Sequence, residues 1–383
     1  MILISSSQRH PVVLLYLCLI ALAIVFFIPL LWYSNPSSSR AQHVSLVDHP
    51  NLRQENGMTS IPAWQNSTRA KAAFVILTRN KEVDGVRQAM RQLEARFNHK
   101  FNYPYVFLND EPFTEEFKHL TSSLTSAETK YGLIPVEHWS VPNWIDDEKA
   151  AKERKKMEED DIIYGGSLAY RHMCRFESGF FYRHPLMEEY DYYWQVLDKR
   201  VEPNVEFYCD LDYDPFLFMQ ENNKKYGWTI ALLELEETIP TLWSTVKSFM
   251  KEYPELVPKN NLMDFVSNDG GYSYNLCHFW SNFEIGDLNF LRSEAYSTFF
   301  DYLDKAGGFF YERWGDAPVH SIAASLFLSK DEIHFFDDIG YRHDSFMHCP
   351  MARELQKKCH CDAQDTFDLT SNSCYRRWIK IDS

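Results

Sequence analysis

Two short apolar runs, and the segment between them, set the strongest constraint on what this chain can become. "AAFVILTRN", beginning at Ala72, is apolar until it ends in polar residues, and "YPYVFLND", beginning at Tyr103, repeats the pattern. Short runs that are apolar throughout suit strands buried on both faces of a sheet. The intervening "VDGVRQAMRQLEARFN", residues 83–98, has helical spacing. Strand, helix, strand predicts a βαβ unit, hence an α/β fold with a parallel sheet. Ligands of such sheets sit at the carboxyl ends of the strands, here near Thr78-Arg79-Asn80 and Asn109-Asp110. No Gly-rich loop follows the first run, which argues against a dinucleotide fold or a phosphate loop.

Ahead of this body, Pro11 to Trp32 form 22 residues without a charge. That is enough to cross a hydrocarbon core of about 30 Å. A cleaved signal peptide would carry a shorter apolar stretch, about 7–15 residues, and a small-residue cleavage site. The expected organisation is therefore a cytoplasmic tail (1–10), a transmembrane signal-anchor (11–32), a polar lumenal stem (33–70) and a globular body (71–383). The sequon Asn66-Ser67-Thr68 closes the stem. A formal net charge of −15, with no basic stripe, excludes nucleic acid as a natural partner. Of eight cysteines, Cys18 lies in the anchor and seven in the body. Cys359-His360-Cys361 is too tight for the usual zinc spacing, so disulfides in an oxidising lumen are the better account. Seven is odd, so at least one thiol stays outside them; the pairing is not readable.

Three further stretches carry chemistry or charge. "DDEKAAKERKKMEEDD", residues 146–161, reads as an exposed helix with pairs of opposite charge. "RVEPNVEFYCDLDYD", residues 200–214, holds five carboxylates and alternates like a strand. Val205, Phe207, Cys209 and Leu211 would face one way, and Glu206, Tyr208, Asp210 and Asp212 the other. Such a cluster is either solvated surface or a metal site. Glu284 precedes a helical stripe of Leu288, Leu291, Ala295, Phe299 and Leu303, ended by Gly307-Gly308. It is either a dipole partner for that helix or a catalytic acid.

"YRHMCRFESGFF", "FYCDLDYDPF", "CHFWSNFEIGDLNFLRSEAYSTFFDYLDKAGGFFYERWGDAPVHSIAASLFL" and "DIGYRHDSFMHCP" together resemble the fungal α-1,2-mannosyltransferases of glycosyltransferase family 15. The similarity runs from about Lys71 to the C-terminus. It implies a GT-A fold with a mixed, mainly parallel sheet, GDP-mannose as donor and Mn2+ as cofactor. It also implies transfer with retention onto a mannosylated glycan acceptor, by a type II protein of the Golgi membrane that associates with other Golgi mannosyltransferases.

Residue by residue, the resemblance places the metal on Glu202 of Glu202-Pro203-Asn204, with His343 as second protein ligand. It does not use the more obvious Asp210-Leu211-Asp212. A hard, oxygen-preferring ion held by one carboxylate and one imidazole leaves room for diphosphate and water. Glu284 falls on the candidate nucleophile, Asp316 on an acid that helps activate the acceptor hydroxyl, and Tyr170 on a tyrosine lining the site near Glu284. Arg79 lies where an arginine would meet the nucleotide. Retention leaves two routes open, a glycosyl-enzyme at Glu284 or electrostatic stabilisation of an oxocarbenium-like species.

Two departures from the family pattern stand out. Asn204 replaces an aspartate, and five residues, Gln195 to Lys199, separate Trp194 from Arg200 where the family runs almost directly on. Those five either loop out as a surface bulge, or displace the metal ligand next to them, or are a gene-model artefact such as a retained intron fragment. The competing reading they support is a membrane-tethered, inactive mannoside-binding subunit. GDP release from GDP-mannose separates the two.

Overall fold

A computed structural model describes residues 68–197 and 205–381. Its centre is a seven-stranded sheet in the order β10-β6-β9-β4-β1-β2-β3. The strands are β1 (Ala72–Leu77), β2 (Tyr105–Asn109), β3 (Thr129–Leu133), β4 (Tyr192–Leu197), β6 (Tyr226–Trp228), β9 (Glu284–Asp287) and β10 (Ile333–Phe335). Two smaller sheets complete the set: β5 (Val205–Phe207) with β11 (Tyr341–His343) and β12 (Phe346–His348), and β7 (Ala231–Leu233) with β8 (Cys277–Phe279). The predicted βαβ unit is present. β1 and β2 pair in parallel, and α1 (Val83–Leu93) joins them through Val86, Ala89, Met90 and Leu93, an i, i+3, i+4, i+7 apolar face. β1 is buried on both sides as its composition requires. Ala73, Val75 and Leu77 enter one core, and Ala72, Phe74 and Ile76 the other.

Every neighbour pair in the large sheet is parallel except those of β9, which runs against both β4 and β6. This reversal brings the first residue of β9, Glu284, to the edge where its neighbours end. There Glu284 is the partner of Gln195. The expectation that Glu284 lies in a segment leading into one long helix is corrected accordingly. The stripe is split into α4 (Leu288–Leu291) and α5 (Glu294–Ala306), because the Ser293 side chain accepts from Tyr296 N at 3.2 Å and starts a new helix. Tyr296 and Phe300 are buried in place of Ala295. Gly307 ends α5 with φ 78°, as expected.

Of the readings open for Gln195–Lys199, a surface bulge does not hold for the first three residues. Gln195 and Leu197 continue β4 against β1, with the register shifting between Val75 and Ile76, and Gln195 and Val196 are buried. Val75 and Glu284 pair with Gln195 on either side and Ile76 pairs with Leu197, which holds them in the sheet; Asp198 and Lys199 lie outside the described residues. In the acidic stretch, Val205, Phe207, Cys209 and Leu211 are buried and Asp210 and Asp212 exposed, as the alternation requires. Tyr208 is the exception, buried with its hydroxyl donating to Glu206. Residues 147–159 form the charged surface helix, which buries only Ala150 and Met157.

Six of the body cysteines form disulfides: Cys209–Cys359, Cys277–Cys374 and Cys349–Cys361. Cys174 is a buried thiol outside these bonds. The Cys209, Cys359 and Cys361 sulfurs lie within 4.8 Å of one another. Two disulfides meeting account for that grouping, so no zinc site is needed. Among the described residues no helix is long and apolar enough to cross a membrane. The tail, the anchor and all but the last three residues of the stem lie outside the described residues.

Candidate active site

Tyr170, Asp316 and His343, remote in sequence, line one cavity of about 540 Å³. Asp316 is the first residue of α6 (Asp316–Phe327), where the helix N-terminus favours negative charge. The turn before it is tightly built: a Cβ on Gly308 would come within 2.0 Å of the Trp314 ring, so only glycine admits that indole. The Ser281 hydroxyl donates to Asp316 Oδ2, fixing the carboxylate at the wall. Tyr170 stands on the helix Leu168–Gly179 and is stacked on Tyr164 at 4.8 Å, while Arg313 Nη1 donates to its hydroxyl at 2.7 Å.

Glu284 is not among the lining residues. It is fully buried, and the Tyr193 and Tyr226 hydroxyls donate to its two oxygens at 2.7 Å each. Gly286 makes this possible, since a Cβ there would lie 2.5 Å from the Tyr193 ring that passes over it. His320, one turn after Asp316 on α6, puts Nδ1 3.0 and 3.1 Å from the two Glu284 oxygens, and its Nε2 faces the Glu177 carbonyl at 3.2 Å. Both ring nitrogens therefore face acceptors, and only the doubly protonated imidazolium can donate to both. Burial works against that charge. The Glu284 carboxylate, with Asp316 beyond it, outweighs burial and holds the imidazole above its ordinary pKa of 6.5. Burial, and then Glu284, push both tyrosine hydroxyls far above their usual range, so they remain donors.

His343 ends β11 on the cavity wall, edge-on to Trp280 at 5.0 Å, with Nε2 3.6 Å from Asp344 Oδ2. Its strand partner is Val205, three residues beyond Glu202. Glu202 and Asn204 lie outside the described residues. The His343 imidazole on this wall is a nitrogen donor of a kind that fits a divalent ion such as Mn2+. Asp210 and Asp212 face elsewhere. Arg96 binds Asp210 at 2.7 Å, and Lys358 and Lys100 lie 2.7 and 3.3 Å from Asp212 and hold its carboxyl below the usual range. Arg79 follows β1 at the expected edge of the sheet, where Nε donates to Glu82 at 2.7 Å; it does not line the cavity.

Sequence reasoning missed several lining residues. Arg313 is buried, with Nη2 3.8 Å from Glu234, and supplies a cation to the cavity. A charged residue three positions before Asp316, in "ERWGDAP", was the available signal. His278 is buried with Nδ1 lacking a hydrogen-bond partner among the described residues, and burial keeps its pKa below 6.5. Trp280 and Asn282 complete the same wall.

This architecture has close counterparts. The solved structure of core-mannan synthase A from Aspergillus fumigatus, in its Mn/GDP form, is 42% identical with a TM-score of 0.76, over 83% of this chain and 86% of that one. The mannosyltransferase Ktr4p from Saccharomyces cerevisiae, in complex with GDP, is 40% identical with a TM-score of 0.77, over 82% of each. The alpha-1,2 mannosyltransferase KTR1 of Saccharomyces cerevisiae is 59% identical over 82% of this chain and 79% of its own length. The O-glycoside alpha-1,2-mannosyltransferase omh1 of Schizosaccharomyces pombe is 52% identical over 81% and 78%. Residues 34–383 match the family described as glycolipid 2-alpha-mannosyltransferase, and the mixed α/β fold with its mainly parallel sheet is that of these glycosyltransferases. The chain belongs to the glycolipid 2-alpha-mannosyltransferase family, glycosyltransferase family 15.

Proposed function

We propose that this GT-A-type enzyme transfers mannose from GDP-mannose to a hydroxyl of a mannoside acceptor, forming an α-1,2 linkage with retention. The observation that carries the reading is the convergence of Tyr170, Asp316 and His343 on one cavity in a chain of this family. The bond from the anomeric carbon to the diphosphate breaks, and a bond to the acceptor oxygen forms. The displaced hydroxyl proton passes to Asp316, the carboxylate that reaches the cavity. Arg313 offsets negative charge on the departing nucleotide and orients Tyr170. Glu284, held by Tyr193, Tyr226 and His320, acts as a positioning residue through that buried network. Mn2+, held by Glu202 and His343, would neutralise charge on the diphosphate. The body faces the Golgi lumen behind a single-pass anchor at 11–32, with the other Golgi mannosyltransferases as partners. The inactive-subunit reading gains no support from this cavity, whose acid, cation and imidazole are all present.

GDP release by the full-length chain tests this. Release from GDP-mannose should require methyl α-mannoside and Mn2+, and stop in chelator. No release with all three present would overturn the enzyme reading, and full turnover in chelator would overturn the metal. Protease protection of a C-terminal tag in sealed vesicles checks the lumenal side.

A further inference from the structure

The three-stranded sheet of β5, β11 and β12 has two unlike ends. At one, His343 and Phe346 line the cavity, and Val205 is paired with His343. At the other, Phe207, Tyr341 and His348 lie side by side, and each strand meets a crossing of disulfides. Cys209 follows β5, Cys349 follows β12, and Gly340, just ahead of β11, donates its N–H to Cys209 Sγ at 3.1 Å. The Cys209–Cys359 and Cys349–Cys361 bonds meet there, with the sulfurs of Cys209, Cys359 and Cys361 within 4.8 Å of one another. Gly340 keeps the space beside them clear. A Cβ there would lie 2.6 Å from Cys209 Sγ and 3.4 Å from Cys361 Sγ. Cys359 and Cys361 are partly exposed, whereas Cys209 and Cys349 are buried. A disulfide beside a second one exchanges with it once a thiolate is released, and the two partly exposed sulfurs are open to an external thiol.

We propose that this crossing is a thiol–disulfide exchange site opened by a dithiol, and that its pairing sets how firmly the far end of the sheet holds a divalent ion. The metal half rests on the Mn2+ reading above. A dithiol thiolate attacks Cys361 Sγ, the Cys349–Cys361 bond breaks, and Cys349 leaves as a thiolate that takes a proton. The second dithiol sulfur then closes on the first and releases Cys361 as a thiolate. The dithiol becomes a cyclic disulfide, and two electrons pass to the protein. Cys361 next attacks Cys209 Sγ; the Cys209–Cys359 bond breaks, and Cys359 leaves and takes a proton, with no further change in oxidation state. The product holds one bond, Cys209–Cys361, in place of two, and β12 loses its tie. Because Phe346 of β12 is paired with His343, that loss reaches the cavity end. Removing a group that supports a metal ligand weakens metal binding by about 10–100-fold.

Peptide mapping of the folded, full-length chain after limited dithiothreitol, acid quench and alkylation tests the exchange. The expected intermediate carries a Cys209–Cys361 bond, alkylated Cys349 and Cys359, and an intact Cys277–Cys374. Cys349→Ser reaches the same point without reductant. Cys361 is then a resident thiol, and both Cys209–Cys359 and Cys209–Cys361 should be recovered. Cys209–Cys359 as the sole pairing in both experiments, with Cys361 fully alkylated, overturns the exchange site; where the variant fails to fold, the wild-type map decides. Electron paramagnetic resonance of unbound Mn2+, in the presence of GDP, tests the metal half. The double variant Cys349→Ser, Cys361→Ser unties β12 without permitting exchange. It should bind Mn2+ about tenfold more weakly than wild type with an unchanged circular dichroism spectrum. Affinity within about twofold of wild type overturns the link to the metal. Failure of the wild type itself to bind Mn2+ would instead strike the metal reading, and the mapped pairing would still decide the exchange.

Discussion

Glu284 and Asp316 are both nine-tenths buried acids linked through one helix, yet their surroundings are opposite. Glu284 opens a reversed strand in the middle of the sheet, takes bonds from two tyrosines and is neutralised by an imidazolium. Asp316 opens a helix on the cavity wall and accepts the Ser281 hydroxyl. The charge of Glu284 is compensated where it stands, and a carboxylate so compensated loses nucleophilic power as it gains order. Asp316 lines the cavity. The pair sets an enclosed acid against one that lines the cavity, and experiments can break that contrast.

The largest effect is expected at Asp316. Asp316→Asn keeps the shape and can still accept from Ser281, so folding should hold, with the melting temperature within about a degree of wild type. Turnover should fall by roughly 10²–10⁴, the usual worth of a positioned acid or base. A thermal melt beside GDP-release kinetics checks both; near-wild-type turnover would remove Asp316 from the chemistry.

Glu284→Gln should instead show both signatures at once. An amide cannot accept from two tyrosines and an imidazolium as a carboxylate does. One buried donor is left unsatisfied, at about 1–3 kcal/mol, and the melt should move down by several degrees. Turnover should also fall while GDP-mannose still binds, because loosening the buried network misplaces reacting groups more than it weakens the donor's contacts. An inactive variant with an unchanged melt would return Glu284 to the role of nucleophile.

Much of the frame was legible because it is written in local pattern. β1 and β2 announce themselves, since a strand buried on both faces has no polar positions. The acidic stretch alternates because one side of it packs against the core. What was not legible depends on distant partners. β9 is four residues long, its "EIGD" carries no periodicity, and its reversal is fixed only by β4 and β6. His320 stands in "DAPVHSIAASLF", an apolar helix in which a lone histidine reads as packing; the Glu284 carboxylate, remote in sequence, is what chiefly favours its charged form. The three disulfides close loops of 150, 97 and 12 residues, so their pairing follows the fold and no spacing rule.

The smallest effect is also the most direct probe of the sealed region. His320 packs against Glu284, the Tyr296 ring and the Asp316 end of its own helix, and its folded pKa lies above the ordinary 6.5. A raised folded value means the native state binds the proton more tightly than the unfolded chain does. The stabilisation is therefore complete below about pH 6.5 and is lost as pH rises through the folded value. His348, raised beside Asp368, adds the same sign, while His138, His184, His278 and His334, lowered by burial, add the opposite. Only the difference between wild type and His320→Gln isolates the one imidazole. That gap in melting temperature should be widest near pH 6 and narrow by pH 8.5, by about 2–4 °C for each kcal/mol of linkage removed. A gap that stays constant across the range would mean His320 is neutral in the folded protein. Glu284 would then carry an uncompensated charge, and the contrast with Asp316 would rest on burial alone.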